Sequence, residues 1–256
     1  MAEPKILTKN YVSADCTITV SHSDAVKSYL HDRDKDSKWL SSGANDDATL
    51  ISIEVVFKEG TTAVDRTISR LLLINHNLAN WDFYSWNGST WVLQANENTD
   101  AASTTYKSFT PVTTSKVKLE CDVTQIADAE KFIGEMIVAA QQMDVGHDFK
   151  DYDVRYRERS REITLGDGSV HKMITRWTQN RNQKYEARAV LEFLSESERD
   201  TIKAICDTRQ PFLFYPESAQ RPDEIFLVRW NNPWSEEYVS SYKGAGLRIT
   251  LEVKEV

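Results

Sequence analysis

Cysteine, glycine and long apolar runs are all scarce in this chain, and each shortage removes a class of protein. Cys16, Cys121 and Cys206 are the three cysteines in 256 residues, widely spread and odd in number. That pattern excludes a disulfide scaffold and points to thiols in a reducing compartment. No stretch approaches the ~20 apolar residues that span a bilayer, so no membrane span is expected. The opening MAEPKILTKNYV has no cationic segment followed by an apolar one, so no secretory signal is read there. Basic excess is missing too: the formal net charge is −8. Without a basic stripe the chain has no electrostatic footprint for nucleic acid, and no nucleic-acid partner is expected.

What is present is aromatic. Seven Trp, ten Tyr and nine Phe stand against nine Gly and six Pro, a balance that favours β structure with well-filled cores. The length allows one large domain or two modest ones. Charge is uneven along it. Residues 1–145 hold 13 Lys+Arg against 20 Asp+Glu, or −7, whereas residues 146–256 hold 18 against 19, or −1.

The acidic stretch HDRDKDSKWLSSG (31–43) invites a calcium reading through Asp32, Asp34 and Asp36. An EF-hand loop needs glycine at its sixth position and a bidentate glutamate at its twelfth. Counting from Asp32, those positions are Ser37 and Gly43. The EF-hand is excluded, and the three aspartates remain as candidates only for a looser structural calcium site. The alternative is a solvated loop.

Strand signals dominate the first half. Cys16 to Val20 alternates, LISIEVVF (50–57) is β-branched, and ISRLLLI (68–74) is continuous enough for a strand covered on both faces. In YSWNGSTWVL, Asn87-Gly88 sits between alternating segments and predicts a two-residue type I′ hairpin. Asn96 to Thr110 reads as a loop. Lys116 to Val123 returns to strand, with Val117, Leu119 and Cys121 on one face. KFIGEMIVAAQ (131–141) fits a helix by length and a strand by composition. MDVGHDFKDYD (143–153) has no apolar period and marks the domain boundary. Beyond it, Gly166-Asp167-Gly168 predicts a hairpin. Ser195 followed by Glu198 predicts a capping box opening a short helix near 195–208, with Leu194, Ile202 and Ile205 as its apolar side and Pro211 after it. PFLFYPE, EIFLVRW and GLRITLEVKEV add three strands.

Asp34, Asp36, Ser37, Trp39 and Ser41-Ser42, followed by LISIEVVF, ISRLLLINHNL, YSWNGSTWVL and KFIGEMIV, resemble the order found in discoidin-type galactose-binding-like domains. The resemblance covers about residues 5 to 141. It implies a jelly-roll sandwich, makes KFIGEMIV a strand, and gives Trp39 the role of closing the barrel end. The second portion, through LGDGSVHK, LSESERDTIKAI, PFLFYPE and EIFLVRW, resembles domains of phage tail-tip and baseplate proteins. The expected architecture is therefore mainly β: a galactose-binding-like domain over 1–145 and a tail-assembly-type β domain over 146–256.

Catalytic signatures are missing: there is no G-x-S-x-G elbow, P-loop, G-x-G-x-x-G or H-E-x-x-H. His22, His31, His76, His147 and His171 are dispersed, His76 reading as structural, and Cys206 has no activating base. No enzyme and no cofactor are expected. Sugar binding would need exposed aromatic platforms with polar flanks, for which Trp81, Trp86, Trp91, Asn75, Asn77 and Asn87 are candidates. RYRERSRE (155–162) alternates in charge. It reads as an exposed edge strand whose Arg155, Arg157 and Arg159 could meet the acidic first domain of a sibling subunit. The leading expectation is a non-enzymatic structural part of a phage-like tail, assembled in the bacterial cytoplasm as a ring with other tail and baseplate proteins. The alternative is an adhesin module that recognises a surface glycan.

Overall fold

The computed structural model describes residues 4–22, 26–33, 37–43, 46–144, 151–158, 160–164, 170–174, 183–208, 210–216, 224–239 and 246–256. It forms two compact units. Residues 10–141 make one, and residues 1–9 together with 142–256 make the other. The expected division at 145/146 is therefore displaced, because the first nine residues belong with the second half. Lys5–Leu7 pairs antiparallel with Phe212–Tyr215, Lys5 opposite Tyr215 and Leu7 opposite Leu213. Three apolar-leaning residues are too few for sequence pattern to say which sheet they join.

The 10–141 unit is a galactose-binding-like jelly-roll sandwich. One sheet runs in the order Thr17–Val20, Ile51–Val56, Lys116–Cys121, Trp81–Trp86, Trp91–Glu97; the other runs Thr104–Thr114, Arg66–His76, Phe132–Ala139, Trp39–Leu40. Strict alternation puts Ile51, Ile53 and Val55, Trp81 and Phe83, and Val117 and Leu119 on the inner face of the first sheet. They meet Ile68, Leu71, Leu73, Ile133, Met136 and Val138 in one core, with fully buried Trp39 among them. Arg66–His76 lies between two partners in its sheet and is covered on both faces from Leu71 to Ile74, as its unbroken apolar run predicts. Phe132–Ala139 is a strand.

Two local expectations fail for identifiable reasons. Trp86 pairs directly with Trp91, so the connection is the four-residue loop 87–90 and not a two-residue type I′ turn. The Asn87 side chain explains it: Oδ1 accepts from the backbone N–H of Ser89 at 3.0 Å and of Thr90 at 2.8 Å, closing an Asx turn. The predicted loop from Asn96 to Thr110 is also mostly strand. Thr104–Thr114 pairs along Arg66–His76, with a register shift between Ser108 and Val112 that accommodates Pro111 on this edge strand.

The second unit is an eight-stranded sheet whose main path runs Gln141–Asp144, Lys5–Leu7, Phe212–Tyr215, Phe226–Trp230, Leu247–Glu255, Gln183–Leu194, Asp151–Glu158. Glu236–Tyr238 adds to Leu247–Glu255 off that path. Ser160–Thr164 and Val170–Ile174 pair as a separate ribbon; the turn residues Gly166 to Gly168 lie outside the described residues. The helix Glu196–Thr208 packs Ile202, Ile205 and Cys206 inward, onto a core that holds Leu194, Phe214, Trp230 and Ile249. Its capping box is complete. Glu198 N–H donates to Ser195 Oγ at 3.2 Å, and Ser195 N–H and O–H donate back to Glu198 Oε2 at 2.8 and 2.7 Å.

Candidate functional site

Cross-strand register assembles an aromatic patch on the outer face of the five-stranded sheet. Trp86 lies opposite Trp91 and Tyr84 opposite Leu93, while Lys118 lies opposite Tyr84 on the other flank. These residues face away from the core because their neighbours Phe83 and Ser85, and Val117 and Leu119, face into it. The Trp86 and Trp91 rings meet edge-to-face, with centroids 5.3 Å apart. Two lysines sit over them. Lys116 Nζ is 4.3 Å from the Trp86 centroid and 4.8 Å from that of Trp91, and Lys118 Nζ is 5.0 Å from both Tyr84 and Trp91. Each such contact contributes roughly 0.5–1 kcal/mol at a partly exposed site.

Polar groups hold the patch in place. Lys116 pairs with Glu54 at 3.1 Å and Lys118 with Glu120 at 2.6 Å. Tyr84 Oη donates to Asp82 at 3.0 Å. Partial burial, reinforced by that bond and the Asp82 charge, pushes the Tyr84 phenol up to about 12, so it stays protonated. The result is three half-buried rings and an exposed Leu93, flanked by two ammonium groups and three carboxylates.

The other sequence candidates do not join this patch. Trp81 is 1% exposed, and its Nε1 donates to Asp100 Oδ2 at 3.1 Å; alternation puts it inside the sandwich, so it is no platform. Asn77 is used up internally: its Nδ2 donates to the Glu130 carbonyl at 2.8 Å and its Oδ1 accepts from Phe132 N–H at 2.8 Å. Asn75 sits beside it in the left-handed region (φ 51°) that asparagine tolerates. Asn87 is engaged in its own turn. His76 is buried and structural. Its Nδ1 accepts from Leu78 N–H at 3.2 Å, so its Nε2–H faces Thr105 Oγ1 at 3.1 Å, and Thr105 donates to Asp100 Oδ2 at 2.5 Å. Burial holds the imidazole down to about 4 against the opposing pull of Asp100 at 3.8 Å.

The acidic loop resolves differently. Asp32 is half-buried, and Asp34 and Asp36 lie outside the described residues. A neighbouring arrangement that pattern reading missed is better defined. Lys131, fully buried, donates from Nζ to the Asp46 carbonyl at 2.7 Å. Asp47 accepts from the N–H and O–H of Thr124, both at 3.0 Å. Both aspartates are held below the usual carboxylate range, Asp46 chiefly by the Thr49 side chain and Asp47 chiefly by Thr124 N–H, with Lys131 adding a smaller attraction. Lys131 follows an unremarkable Ala-Asp-Ala-Glu, and nothing local announces that its ammonium turns inward. Among the described residues, no group of three or more His, Cys, Asp and Glu could hold a metal ion.

In the second unit, Arg155 is exposed on Asp151–Glu158, the last strand on that side of the described sheet, and reaches Asp153 at 3.0 Å. Arg157 lies on the same strand, but its side chain is outside the described set, as is Arg159 entirely. Cys206 is buried on the helix. Among the described residues no helix is long and apolar enough to cross a membrane.

The sandwich and its strand order define a galactose-binding-like jelly roll. Solved structures similar to it include a chitosan-binding module from a Paenibacillus chitosanase/glucanase, at 16% identity and TM-score 0.44 over 52% of this chain and 99% of that one. A Clostridium perfringens module in complex with GalNAc-β-1,3-galactose matches at 13% identity and TM-score 0.42, over 51% of this chain and 99% of that one. A family 32 carbohydrate-binding module from Streptococcus pneumoniae matches at 16% identity and TM-score 0.41, over 51% and 99%. No protein-family profile matches the chain, and no curated protein matches it significantly.

Proposed function

We propose that the jelly-roll unit is a non-catalytic carbohydrate-binding module and that Trp86, Trp91 and Tyr84 form its platform. One observation carries this reading: half-buried indoles are held in a fixed edge-to-face pair on an outer sheet face, among side chains that both donate and accept hydrogen bonds. A sugar ring offers apolar C–H faces to such rings and hydroxyls to Lys116, Lys118, Glu54 and Glu120. The lysines over the rings are tethered by surface ion pairs worth about 0–1 kcal/mol and by cation–π contacts worth roughly 0.5–1 kcal/mol each, which stacking of a sugar on the same rings must offset. Screening the intact protein on a glycan array should give saturable binding that Trp86→Ala and Trp91→Ala each abolish while the melting temperature holds. Binding that survives both substitutions, or no binding by the wild-type chain, refutes the platform.

A second reading rests on the edge strand Asp151–Glu158. Its alternating charge suits register-specific pairing with a sibling subunit, as the tail-component expectation requires for assembly in a virion tail. Light scattering of the triple variant Arg155→Glu, Arg157→Glu, Arg159→Glu decides it: rings that persist unchanged remove this interface.

A further inference from the structure

The loop 87–90 holds chemistry of its own. Asn87-Gly88 is the chain's only Asn-Gly pair, and both residues are exposed. Three donors converge on the Asn87 side-chain oxygen: Oδ1 accepts from Thr90 N–H at 2.8 Å, from Ser89 N–H at 3.0 Å and from the Ser89 hydroxyl at 3.1 Å. Donors aimed at one amide oxygen stabilise the negative charge that develops there when a nucleophile attacks its carbon, as in an oxyanion hole.

A nucleophile is at hand. Gly88 N follows Asn87 directly, and its N–H makes no hydrogen bond among the described residues. The ring closed by the bond from Ser89 N–H to Oδ1 contains every atom of a succinimide: Cγ, Cβ, Cα and C of Asn87, and N of Gly88. Closing that turn therefore folds Cγ back toward Gly88 N. Gly88 has φ +99°, and a Cβ built on it would meet nothing within 4 Å. Solvent reaches the amide freely, and with no side chain on Gly88 nothing crowds the approach.

We propose that Asn87 deamidates in the folded protein, that the 87–90 loop accelerates the step, and that the isoaspartate formed breaks the Trp86–Trp91 pair. Hydroxide removes the Gly88 amide proton. The nitrogen's electron pair then forms the N–Cγ bond while the carbonyl π pair moves onto Oδ1. Collapse restores the carbonyl and breaks Cγ–Nδ2, and that nitrogen takes a proton from water and leaves as ammonia. A second water opens the imide. Attack at Cγ gives aspartate; attack at the main-chain carbonyl gives isoaspartate, whose backbone runs through Cβ and is one atom longer. The net change replaces the amide by a carboxyl group, consuming water and releasing ammonia. The present loop sets Trp86 opposite Trp91, with Asn87 N–H donating to the Thr90 carbonyl at 3.1 Å. An added backbone atom inside so tight a loop shifts that register. The site does not depend on whether the Trp86–Trp91 face binds sugar.

The test is peptide mapping by mass spectrometry of the intact chain aged at mildly alkaline pH, either folded or held in urea. Aspartate and isoaspartate at position 87 are separated chromatographically. An enclosed oxyanion donor is worth about 10²–10³ in rate and a solvent-exposed one less, so Asn87 should deamidate at least about threefold faster in the folded chain than in urea. Ser89→Ala removes one donor and keeps both backbone bonds; it should slow the folded chain and leave the rate in urea unchanged. A folded rate at or below the urea rate overturns the proposal, as does a folded rate that Ser89→Ala does not lower. The product is read by circular dichroism, with the exciton couplet of the two indoles assigned by Trp91→Phe. The isoaspartate fraction, isolated by ion exchange, should lose the couplet. Asn87→Asp, which keeps the backbone path and an acceptor oxygen, should retain it. A couplet that survives in the isoaspartate protein overturns the disruption of the pair.

Discussion

Trp81 Nε1 and Asp100 Oδ2 are 3.1 Å apart, and that bond fixes one of the two fully buried indoles of the sandwich. The same carboxylate oxygen accepts from Thr105 at 2.5 Å, and Oδ1 accepts from Ala102 N–H at 3.0 Å. A residue in the connection after Trp91–Glu97 thus satisfies three donors and ties that segment to the core.

Asp100→Ala should strand two buried donors, Trp81 Nε1–H and Thr105 O–H, while water takes up the N–H of exposed Ala102. At ~1–3 kcal/mol for each buried group left unsatisfied, the loss is roughly 2 kcal/mol or more. Urea unfolding followed by tryptophan fluorescence measures it. A loss under about 1 kcal/mol would mean that solvent reaches the Trp81 N–H.

His76 makes the jelly roll acid-labile. Its folded value is depressed, from 6.5 to about 4. The unfolded chain therefore binds the proton first as pH falls. The stabilisation is fully present above 6.5, declines between 6.5 and 4, and is gone below 4. Its size is about 3 kcal/mol. Unfolding free energy measured from pH 7 to 4 should slope downward by that amount, and His76→Gln should flatten this part of the curve. An equal slope in the variant would assign the effect to other groups.

Gly246→Ala should destabilise the second unit. Gly246 has φ +88°, and a Cβ there would lie 2.5 Å from Cα of Phe193. Phe193 cannot retreat easily: it is itself at φ 63° within the register shift between Leu191 and Leu194. The left-handed backbone alone costs ~1–3 kcal/mol for a non-glycine residue, and the clash adds to it. Thermal unfolding should show a lower melting temperature for the transition of this unit, whereas an unchanged melting curve would show that the two segments separate without cost.

Lys131→Met should loosen segment 46–49 without unfolding the sandwich. The variant keeps the apolar stem but leaves the Asp46 carbonyl without its ammonium donor, at ~1–3 kcal/mol. Hydrogen exchange at Thr124 N–H, which Asp47 holds, should accelerate in the variant. Unaltered protection there would show that Thr124 and Asp47 hold the segment unaided.

The elements were more legible in the sequence than the sites. Alternation in LISIEVVF and the Ser195–Glu198 spacing are local signals, and both correspond to the elements they predict. The Asn87 turn went astray because Asn-Gly serves more than one turn, and the side-chain bonds that chose between them involve Ser89 and Thr90. Trp86 and Trp91 were legible as partners because one hairpin joins them. Lys116 and Lys118 were not, since they reach those rings from a strand some thirty residues away in the chain. Trp81 shows the reverse failure: alternation separates it from Tyr84 and Trp86, but with aromatic rings on both faces of the strand only the packing against the opposite sheet shows which face is buried.

The pairing of Lys5–Leu7 with Phe212–Tyr215 places the jelly roll as an insert within the other unit. Asn10 anchors where the chain passes into that insert, bonding Met136 and Val138 close to where it leaves. On the ribosome, residues 10–141 emerge complete and can fold while the remainder is still being made. Lys5–Leu7 finds one neighbour in Gln141–Asp144 but waits for the other, Phe212–Tyr215, more than 200 residues downstream, on the order of 10–40 s at ordinary elongation rates. Over that interval its second edge stays open to the nascent chains of neighbouring ribosomes, so the insert sets a period of vulnerability in the synthesis of its host.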